Sequence, residues 1–574
     1  MYTAVLSVLL LVFPASTKEL LTNGGFEDSS HWHCTHIHCT LSPDSVAGQH
    51  SLRVSQRHHD TEGPAQDLTT VKRGGRYTAS VYVKLMNDEA HVLGQSVMFN
   101  IQFVFKDKTS DMYLPMAHMP LVRSSDGWVH LVGDFVVPEK DIQLSRVKIF
   151  GPHPSVDYLV DSATVTQLPP LDPHWKDGTY RVIQAVRKSN IHLSITLENG
   201  LDPQKVTIKI DQMKHGFPFG TAVNSNLYLH GTEPRYNDFI NKHFNWAVLE
   251  NNLKWKANAP RANTSFYDGP VDTIKELRSH GIKVRGHCLV WSSETFLPTW
   301  VRTLRGDDLR RAVIHRIDEA MKRTHGLVEH WDVNNENLHG QWFQEVLQDR
   351  DYNLELFRIA HQADSGVKLF LNDNKVVARG ANVQAYLAQA TEFKNAHVGL
   401  YGIGAQTHFR DMTAPDPYLI KNHLDTLAKT GLPIWITELD LYHPDEKTRA
   451  DWYETALRSM FGHPAVEGIM IWGFWSKKQW RGEPASLVSG DNFRINSAGQ
   501  RFLHLLEHDW MTHAERNVTD TGAQFSVHGF HGDYDVTVLY NGHEVHQARQ
   551  TFTLGKNDTH INIHVPKLGA NIIG

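Results

Sequence analysis

The sequence has few cysteines, no large excess of charge of either sign, and no long apolar run after its N-terminus. Of its 574 residues only three are cysteine, and the formal net charge is -6. This slightly acidic balance argues against a nucleic-acid partner or an anionic membrane surface, because neither would be attracted to the chain. Without a long apolar run, we expect no transmembrane helix and no membrane partner. No GxGxxG or Walker loop follows the first apolar run of the central region, which argues against a nucleotide-binding domain.

The first 17 residues have the pattern of a secretion signal. An apolar run from Ala4 to Phe13 is followed by small residues and is too short to span a bilayer. We therefore expect a signal peptide over residues 1–17 and a secreted, extracellular protein. Three N-x-S/T sequons are candidate glycosylation sites on such a route: Asn263, Asn517 and Asn557.

The three cysteines suggest one small disulfide loop. Cys34 and Cys39 are close enough in sequence to pair in an oxidising compartment, and Cys288 is left as a buried thiol. The stretch HWHCTHIHCT also carries four histidines, so a metal site is the alternative. Its spacing fits no known zinc pattern, and the disulfide is favoured.

Three compositional blocks follow the N-terminal segment. Residues 18–168 contain short alternating runs such as YTASVYVKL and WVHLVGDFVV between Gly, Asp and Pro turns, which is typical of a β-sandwich. Residues 512–574 again contain short alternating runs and an NG turn, and we predict a small β-rich extension there. Residues 172–511 have a different pattern and form the candidate catalytic domain.

In this central block, compact apolar runs alternate with helical patterns. Segments such as VDTIKELRSHG have the apolar spacing of amphipathic helices and end at Gly. Eight strands alternating with helices predict an α/β fold, a (β/α)8 TIM barrel. The eight apolar runs, in order, are FPFGTAV, FNWAVLEN, IKVRGHCLVW, HWDVNNE, VKLFLND, YGIGAQTH, PIWITELD and GIMIWGF.

Polar residues collect where these strands end, which is where a barrel of this type has its active site. Glu336 ends the fourth run and Glu438 ends the seventh, so we expect two carboxylates to face each other across the barrel mouth. Hydrolysis of a glycosidic bond needs one carboxyl group to protonate the leaving oxygen and a second to attack or to activate water. The surrounding indoles, amides and amines suit sugar faces and hydroxyls. The pattern therefore favours a glycoside hydrolase.

A divalent metal is the alternative for a carboxylate-rich barrel mouth. Metal hydrolases usually gather several His and Asp ligands, whereas only His287 and His408 lie at these strand ends. We therefore expect no metal and no cofactor.

Seven motifs in order resemble glycoside hydrolase family 10, the endo-β-1,4-xylanases. They are FNWAVLENNLKW, VRGHCLVW, WDVNNEN, LFLNDN, GIGAQTH, ITELD and IMIWGF. The N-terminal block, with LLTNGGFEDSSHWH and GRYTASVYVKL, is similar to carbohydrate-binding modules of the family 4, 9 and 22 group. Trp32, Trp128 and Tyr158 are its candidate sugar-stacking aromatics, although alternating runs favour a core position for Trp128 and Tyr158.

The family resemblance implies roles that spacing alone does not assign. Glu336 would be the acid/base and Glu438 the nucleophile, with His408 and Asp440 keeping Glu438 ionised and oriented. Asn335 would bond the sugar 2-hydroxyl, and Gln406 would lie beside the acid/base. The implied substrate-binding residues, several of which also allow a purely structural role, are Glu250, Asn251, Lys254, His287, Trp291, Trp472 and Trp480.

Departures from the family pattern leave the sugar preference open. Ser292-Ser293-Glu294 stands where His and Gln are usual, and Trp475 and Ser476 stand where an Asp is usual before the last tryptophan. The sequence predicts a secreted, monomeric, retaining endo-β-1,4-xylanase that acts on a polysaccharide. The alternatives are an endo-β-1,4-glucanase or dual enzyme, and a non-catalytic carbohydrate-binding matrix protein.

Overall fold

The computed structural model describes residues 18–231, 233–410 and 414–567. The predicted signal peptide therefore lies outside the described residues. The chain divides into two compact units: the first holds the chain up to Leu171 with Gly380–Asn382, and the second holds Asp172–Arg379 and the chain from Val383 onward. In the described ranges, no helix has the length and apolar character that crossing a membrane requires.

The first unit is a β-sandwich of two antiparallel sheets around one core. Its strands are β1 (His38–Ser42), β2 (Ser51–Ser55), β3 (Ala65–Leu68), β4 (Arg76–Leu85), β5 (Gln95–Phe105), β6 (Met112–Val122), β7 (Val129–Val136), β8 (Ile142–Phe150) and β9 (Tyr158–Gln167). The sheet orders are β1-β2-β9-β4-β7 and β3-β8-β5-β6, and the apolar faces of both sheets join in the same buried cluster. Side chains of β4 alternate between the core and the outer face, as its sequence pattern predicts.

The candidate stacking aromatics of this sandwich do not lie on its surface. Trp32 and Tyr158 are buried, so the expectation that Trp32 stacks on a sugar is wrong. Trp128 is half-buried, and its indole nitrogen donates to Asp44. Sequence position missed Tyr113, which is exposed on β6.

The cysteines have the arrangement that their spacing suggests. Cys34 and Cys39 form a disulfide bond, which links the loop before β1 to the second residue of that strand. Cys288 is a buried free thiol. Within the described ranges, no group of three or more His, Cys, Asp or Glu side chains could hold a metal ion.

The second unit contains the barrel and the C-terminal β-strands. Its strands are β10 (Lys188–Leu197), β11 (Val206–His215), β12 (Phe219–Val223), β13 (Trp246–Leu249), β14 (Lys283–Gly286), β15 (Val290–Trp291), β16 (His330–Asn335), β17 (Lys368–Asn374), β18 (Leu400–Phe409), β19 (Ile434–Leu441), β20 (Val466–Ile471), β21 (Val488–Ser489), β22 (Arg494–Ile495), β23 (His513–Asn517), β24 (Gln524–Phe530), β25 (Gly532–Tyr540), β26 (His543–Glu544), β27 (Gln550–Leu554) and β28 (Thr559–Val565). Its helices are α1 (Trp175–Arg187), α2 (Ser225–His230), α3 (Pro234–His243), α4 (Trp255–Asn258), α5 (Asp268–Ser279), α6 (Gly306–Thr324), α7 (Trp342–Leu347), α8 (Tyr352–Ala363), α9 (Val383–Asn395), α10 (Pro417–Ala428), α11 (Glu446–Phe461) and α12 (Ser497–His504).

Strands β12 to β20 close into a parallel barrel. The first strand, β12, pairs with its successor β13 and also with the last strand, β20. The third barrel strand is interrupted, so that β14 and β15 both pair with β16. All eight apolar runs predicted as strands are barrel strands, which confirms the (β/α)8 fold.

Helix α6 illustrates why the intervening segments are helical. Leu309, Val313 and Ile317 recur at a spacing of about one turn and are buried, while the residues between them, apart from Arg316, are exposed or half-buried. Acidic side chains in its first turn and basic ones in its last complement the helix dipole. The helix therefore buries one face against the barrel, and the strand that follows it begins at the end remote from the site.

The C-terminal β-strands do not form a separate extension. Strand β10 lies between β24 and β28, and β11 lies between β23 and β25. These strands share one apolar core, whose residues come partly from before the barrel strands in the sequence and partly from after them. The sequence analysis placed β10 and β11 in the catalytic block, residues 172–511. In the structure they pair with the C-terminal strands, so residue 512 is not a boundary between two separate domains.

Candidate active site

Polar side chains lie at the carboxyl ends of the barrel strands, where strand pairing is irregular. The register shifts on β16, β18 and β19 just before the polar residues that end each strand. Such shifts re-aim the side chains that follow them. Beyond the shifts, Asn335 pairs with Asn372, and Gln406 pairs with Glu438. The ends of the fourth to seventh strands thus present one polar surface.

Glu336 directly follows β16 in a left-handed backbone conformation, with φ of 57°. Such a conformation is costly for a residue other than glycine and is typical of functional sites. Its backbone nitrogen donates to the carbonyl of Asn372 at 2.9 Å, which holds the turn. The indole nitrogen of Trp291 donates to Oε2 of Glu336 at 3.1 Å. One carboxylate oxygen is thereby positioned by an uncharged donor.

Glu438 is buried in β19, and both of its carboxylate oxygens face polar groups. Asn372 Nδ2 donates to Oε1 at 3.0 Å, and His408 Nε2 lies 3.4 Å from Oε2. The amide of Asn372 is oriented by a bond from Thr437 to its oxygen at 2.6 Å. Sequence analysis gave Asn372 no role, although it stands in the polar end of LFLNDN. It is the amide that fixes the Glu438 carboxylate.

His408 lies between two carboxylates. Its Nδ1 is 2.9 Å from Oδ2 of Asp440, opposite the contact with Glu438. Asp440 is itself held by Arg481 at 2.6 Å and by the indole nitrogen of Trp480 at 2.6 Å. Although burial opposes its charge, the carboxylates of Asp440 and Glu438 raise the pKa of His408 to about 10.

The two glutamates have pKa values shifted in opposite directions. Burial, and then the negative charges of Asp373 and Glu438, raise the pKa of Glu336. Burial also acts to raise the pKa of Glu438, but the hydrogen bond from His408 and nearby positive charges outweigh it and lower that pKa. One carboxyl group is therefore biased towards the acid and the other towards the carboxylate.

We expect the His408 imidazole to remain protonated well above neutral pH. The charge is stabilised by Asp440, so the signal of His408 in NMR of histidine-labelled protein should not titrate near 6.5 but near pH 10. The signal is assigned by its loss in His408→Gln.

In Asp440→Asn the transition should move down by at least about one pH unit, because one of the two stabilising charges is gone. Since the folded-state pKa is the raised one, the stabilisation is present below about pH 6.5 and is lost as pH rises through about 10. Titration of His408 near its ordinary pKa in the unaltered protein would contradict this account.

Asn335 offers a free donor at the site. Its Oδ1 accepts bonds from Asn372 at 2.9 Å and from Gln406 at 3.2 Å, which orients the amide. Its Nδ2 is buried and has no partner within the described residues. A buried donor without a partner is costly, and a ligand hydroxyl would satisfy it. Asn335 and Gln406, both predicted from the sequence, are thus brought together.

Lys254 and Trp291 belong to the second and third strand ends and contact each other. Lys254 donates to Oδ1 of Asn251 at 2.8 Å, and its Nζ lies 5.0 Å from the centre of the Trp291 ring. Phe296 stacks on the same indole with ring centres 3.9 Å apart. Phe296 therefore covers one face of Trp291, and Lys254 lies close to the same ring.

Glu250 directly follows β13 at the same side of the barrel mouth. It is half-buried, and burial raises its pKa against the opposing charge of Lys254. A carboxyl group in this state can donate to or accept from a sugar hydroxyl. The predicted grouping of Glu250 with Asn251 and Lys254 is seen in the structure.

His287 is oriented by a buried ion pair that sequence analysis missed. Its Nδ1 lies 2.9 Å from Asp332, and Arg285 donates to the same carboxylate at 2.6 Å. All three side chains are almost fully buried. The available signal was the presence of Arg285 and Asp332 inside otherwise apolar runs, since charged residues are rarely buried unless paired.

The tryptophans at the eighth strand differ in exposure. Trp480 is 55% exposed and so can form a wall, whereas Trp472 is buried and packs edge-on to His287 with ring centres 5.3 Å apart. Trp475, where the family pattern usually has an Asp, is buried, packs near Phe493 and donates to the carbonyl of Gly490. Only Trp480 of these three presents a broad accessible surface.

A closed barrel with two carboxyl groups of opposite tendency at its strand ends is the arrangement of a glycosidase barrel. The sequence profile described as glycosyl hydrolase family 10 matches residues 209–501, and a carbohydrate binding domain profile matches residues 18–157. The chain belongs to glycosyl hydrolase family 10 and carries a carbohydrate binding domain.

The chain is also similar to several named proteins, two of which are xylanases. The chain is 32% identical over 534 residues to Endo-1,4-beta-xylanase 3 of Arabidopsis thaliana, covering 92% of this chain and 68% of that protein. It is 37% identical over 390 residues to the Anti-sigma-I factor RsgI6 of Acetivibrio thermocellus, covering 68% of this chain and 49% of that protein. Endo-1,4-beta-xylanase 1 of Arabidopsis thaliana is 32% identical, with 90% of this chain and 52% of that protein covered. The chain thus spans about half the length of two of these relatives.

A solved xylanase structure is similar to about half of this chain. Xylanase 10B of Thermotoga petrophila, solved with xylobiose, is 24% identical, with a TM-score of 0.47, 51% of this chain covered and 94% of that chain.

Proposed function

We propose that the protein is a retaining endo-β-1,4-xylanase. The observation that carries the proposal is the opposite bias of the two buried carboxyl groups, Glu336 towards the acid and Glu438 towards the carboxylate. Retaining hydrolysis uses such a pair about 5 to 5.5 Å apart. The relatives named as xylanases support xylan as the substrate.

In the first step, the Glu438 carboxylate attacks the anomeric carbon while Glu336 protonates the glycosidic oxygen. The bond to the leaving sugar breaks, and an ester forms between the remaining sugar and Glu438. Asn372 and His408 hold the two Glu438 oxygens, so the nucleophile is oriented before substrate arrives. The Nδ2 of Asn335 has no hydrogen-bond acceptor among the described residues and is the proposed donor to the sugar 2-hydroxyl.

In the second step, Glu336, now ionised, takes a proton from water. The resulting hydroxide attacks the anomeric carbon, the ester bond breaks and Glu438 regains its carboxylate. The imidazolium of His408 stabilises that returning charge. Glu250, Asn251, Lys254 and His287 bind the sugars on the non-reducing side, and Trp480 forms a wall.

The substrate is tested by product analysis on xylan, carboxymethylcellulose and mannan side by side. Glucose differs from xylose by one hydroxymethyl group, and a misfit of that size changes kcat/KM by about 10- to 200-fold. We expect xylo-oligosaccharides from internal cleavage and at least tenfold lower kcat/KM on the glucan. Equal rates on both polymers would favour the glucanase alternative, and no release of reducing sugar would favour the non-catalytic one.

Secretion and polysaccharide binding complete the proposal. The three sequon residues are exposed on the described surface, and the Cys34–Cys39 disulfide suits an oxidising compartment. The N-terminal domain is the proposed anchor on the polysaccharide, with the exposed ring of Tyr113 as a candidate contact. Retardation of the chain in xylan-containing gels, lost in Tyr113→Ala, is the measurement.

A further inference from the structure

Three cationic side chains lie beyond the ends of the fifth and sixth barrel strands. Lys375 directly follows β17, Arg379 comes later in the same loop, and Arg410 directly follows β18. Strands β17 and β18 are neighbours and pair Asn374 with Gln406, so both loops leave the barrel at the same edge. Lys375 and Arg410 are exposed and Arg379 is half-buried. We call these three residues the cationic cluster.

The cationic cluster has no acidic partner. Among the described residues, no carboxylate forms an ion pair or hydrogen bond with Lys375, Arg379 or Arg410. By contrast, Arg285 and Arg481 elsewhere in the barrel each form an ion pair with a carboxylate, those of Asp332 and Asp440 respectively. Partial desolvation, and then the charges of Arg379 and Arg410, lower the pKa of Lys375. The positive charges of Arg379 and Arg410 thus repel that of Lys375. An anion bound between them would offset this repulsion.

The cluster adjoins the acid/base. The side chain of Asn374, the residue before Lys375, hydrogen bonds to Glu336. Glu336 and Asp373 are the acidic groups that act to raise the pKa of Lys375. The oxygens of Asp373 already contact the backbone nitrogen of Leu338 at 2.6 Å and His339 Nδ1 at 2.6 Å. The nearby carboxylate is therefore already satisfied and does not neutralise the cluster.

The strand ends that carry the cationic cluster differ from those that carry the residues proposed to bind the non-reducing sugars. Residues proposed to hold the non-reducing sugars, Glu250 and Lys254, follow the second strand, whereas the cluster follows the fifth and sixth. Glu336, which gives its proton to the departing sugar, ends the fourth strand next to the cluster. The fifth and sixth strand loops are thus placed to contact the leaving part of the polysaccharide.

A neutral sugar chain gives no reason for three unpaired cations there. The whole protein carries a net charge of -6, so the cluster does not follow from a general excess of base. Arg side chains bind carboxylates through two parallel hydrogen bonds, and Lys adds a point charge. A carboxylate attached to the sugar backbone fits this set of donors.

We propose that Lys375, Arg379 and Arg410 bind the carboxylate of a uronic acid substituent on the leaving-group side of the polysaccharide. The enzyme is then directed to acidic, uronate-bearing xylan rather than to the neutral polymer. This inference rests on the proposed glycosidase function for the direction of the cleft.

The test measures binding without turnover. The full chain with Glu438→Ala is titrated with a xylo-oligosaccharide that carries one glucuronate substituent, and with the neutral oligosaccharide of equal length, by calorimetry above about pH 5, where the carboxylate is ionised. We expect the acidic ligand to bind about 10- to 100-fold more tightly, and the preference to shrink as salt is raised. With Lys375→Gln, Arg379→Gln and Arg410→Gln added, the two ligands should bind with similar Kd.

Lys322→Gln is the matched control, since Lys322 is exposed in the last turn of α6, at the other end of the barrel, and should leave the preference intact. Equal affinity for both ligands with the cluster present, or a preference that survives its removal, would overturn the proposal. Hydrolysis of neutral xylan by the unaltered protein is measured separately. Its absence would count against the proposed function, while the binding preference would still decide the role of the cluster.

Discussion

Replacing Glu438 by Ala should lower kcat on xylan by roughly 10⁴-fold or more, because the covalent intermediate can no longer form. The buried side chain is lost next to the His408 imidazolium, so we expect some change in thermal stability but a folded barrel. Steady-state release of reducing sugar gives the rate, and circular dichroism reports the fold. Glu276→Ala, at an exposed position of α5, is the control and should keep the activity of the unaltered protein.

Adding azide to Glu438→Ala tests whether Glu438 acts as the nucleophile or has some other role. A small anion can enter the space left by the side chain and attack the anomeric carbon once, which gives an α-glycosyl azide from a β-linked substrate. Recovery of activity with that product is expected. Near-normal turnover in Glu438→Ala without azide would mean that another residue is the nucleophile.

Replacing Glu336 by Ala should have an effect that depends on the leaving group. On xylan, kcat should fall by about 10²- to 10⁴-fold, since proton donation to a poor leaving group is lost. An aryl xylobioside with a dinitrophenolate leaving group needs no such proton, so its first step should stay fast. Added azide should then react with the ester on Glu438 and give a β-glycosyl azide. Equal loss of activity on both substrates, with the fold intact, would contradict the acid/base assignment.

The same pair predicts the pH profile of kcat/KM. Activity requires an ionised Glu438, whose pKa is lowered, and a protonated Glu336, whose pKa is raised. Activity should therefore fall at low pH as Glu438 takes up a proton, and at high pH as Glu336 loses one. The pH range of full activity between these two limbs should include 4.5, the ordinary pKa of a glutamate. In Glu336→Ala with the activated aryl substrate, the high-pH limb should disappear.

The barrel, and the positions of Glu336 and Glu438 at its carboxyl ends, could be predicted because their signals are local. Glu336 directly follows one apolar run and Glu438 lies near the end of another, and both runs are too buried to tolerate an idle carboxylate. Eight such runs alternate with helices. The role of Asn372 could not be predicted from the residues around it in the sequence, because its bonding partners, Thr437 and Glu438, lie on another strand. The pairing of β10 and β11 with the last strands of the chain was equally hidden, since an alternating run shows a strand but not its partner.

Aromatic residues show a second limit of the sequence. Exposure of a ring is decided by what packs around it, and the ring of Trp291 is contacted by both Phe296 and Lys254. Trp32 stacks near Phe26 inside the sandwich, although its surroundings in sequence are polar. The sequence showed which aromatic residues belong to the barrel mouth and to the N-terminal sandwich. It did not show which of their rings are exposed to a sugar.

The pairing of strands from the two ends of the second unit also bears on how the protein is made. Strand β10 leaves the ribosome before the barrel, and its partner β28 is among the last segments of the described chain to be synthesised. During synthesis, the apolar faces of β10 and β11 therefore have no strand to pair with while the whole barrel emerges. Emergence of β28, rather than completion of the barrel, is the moment at which this unit can close its second core.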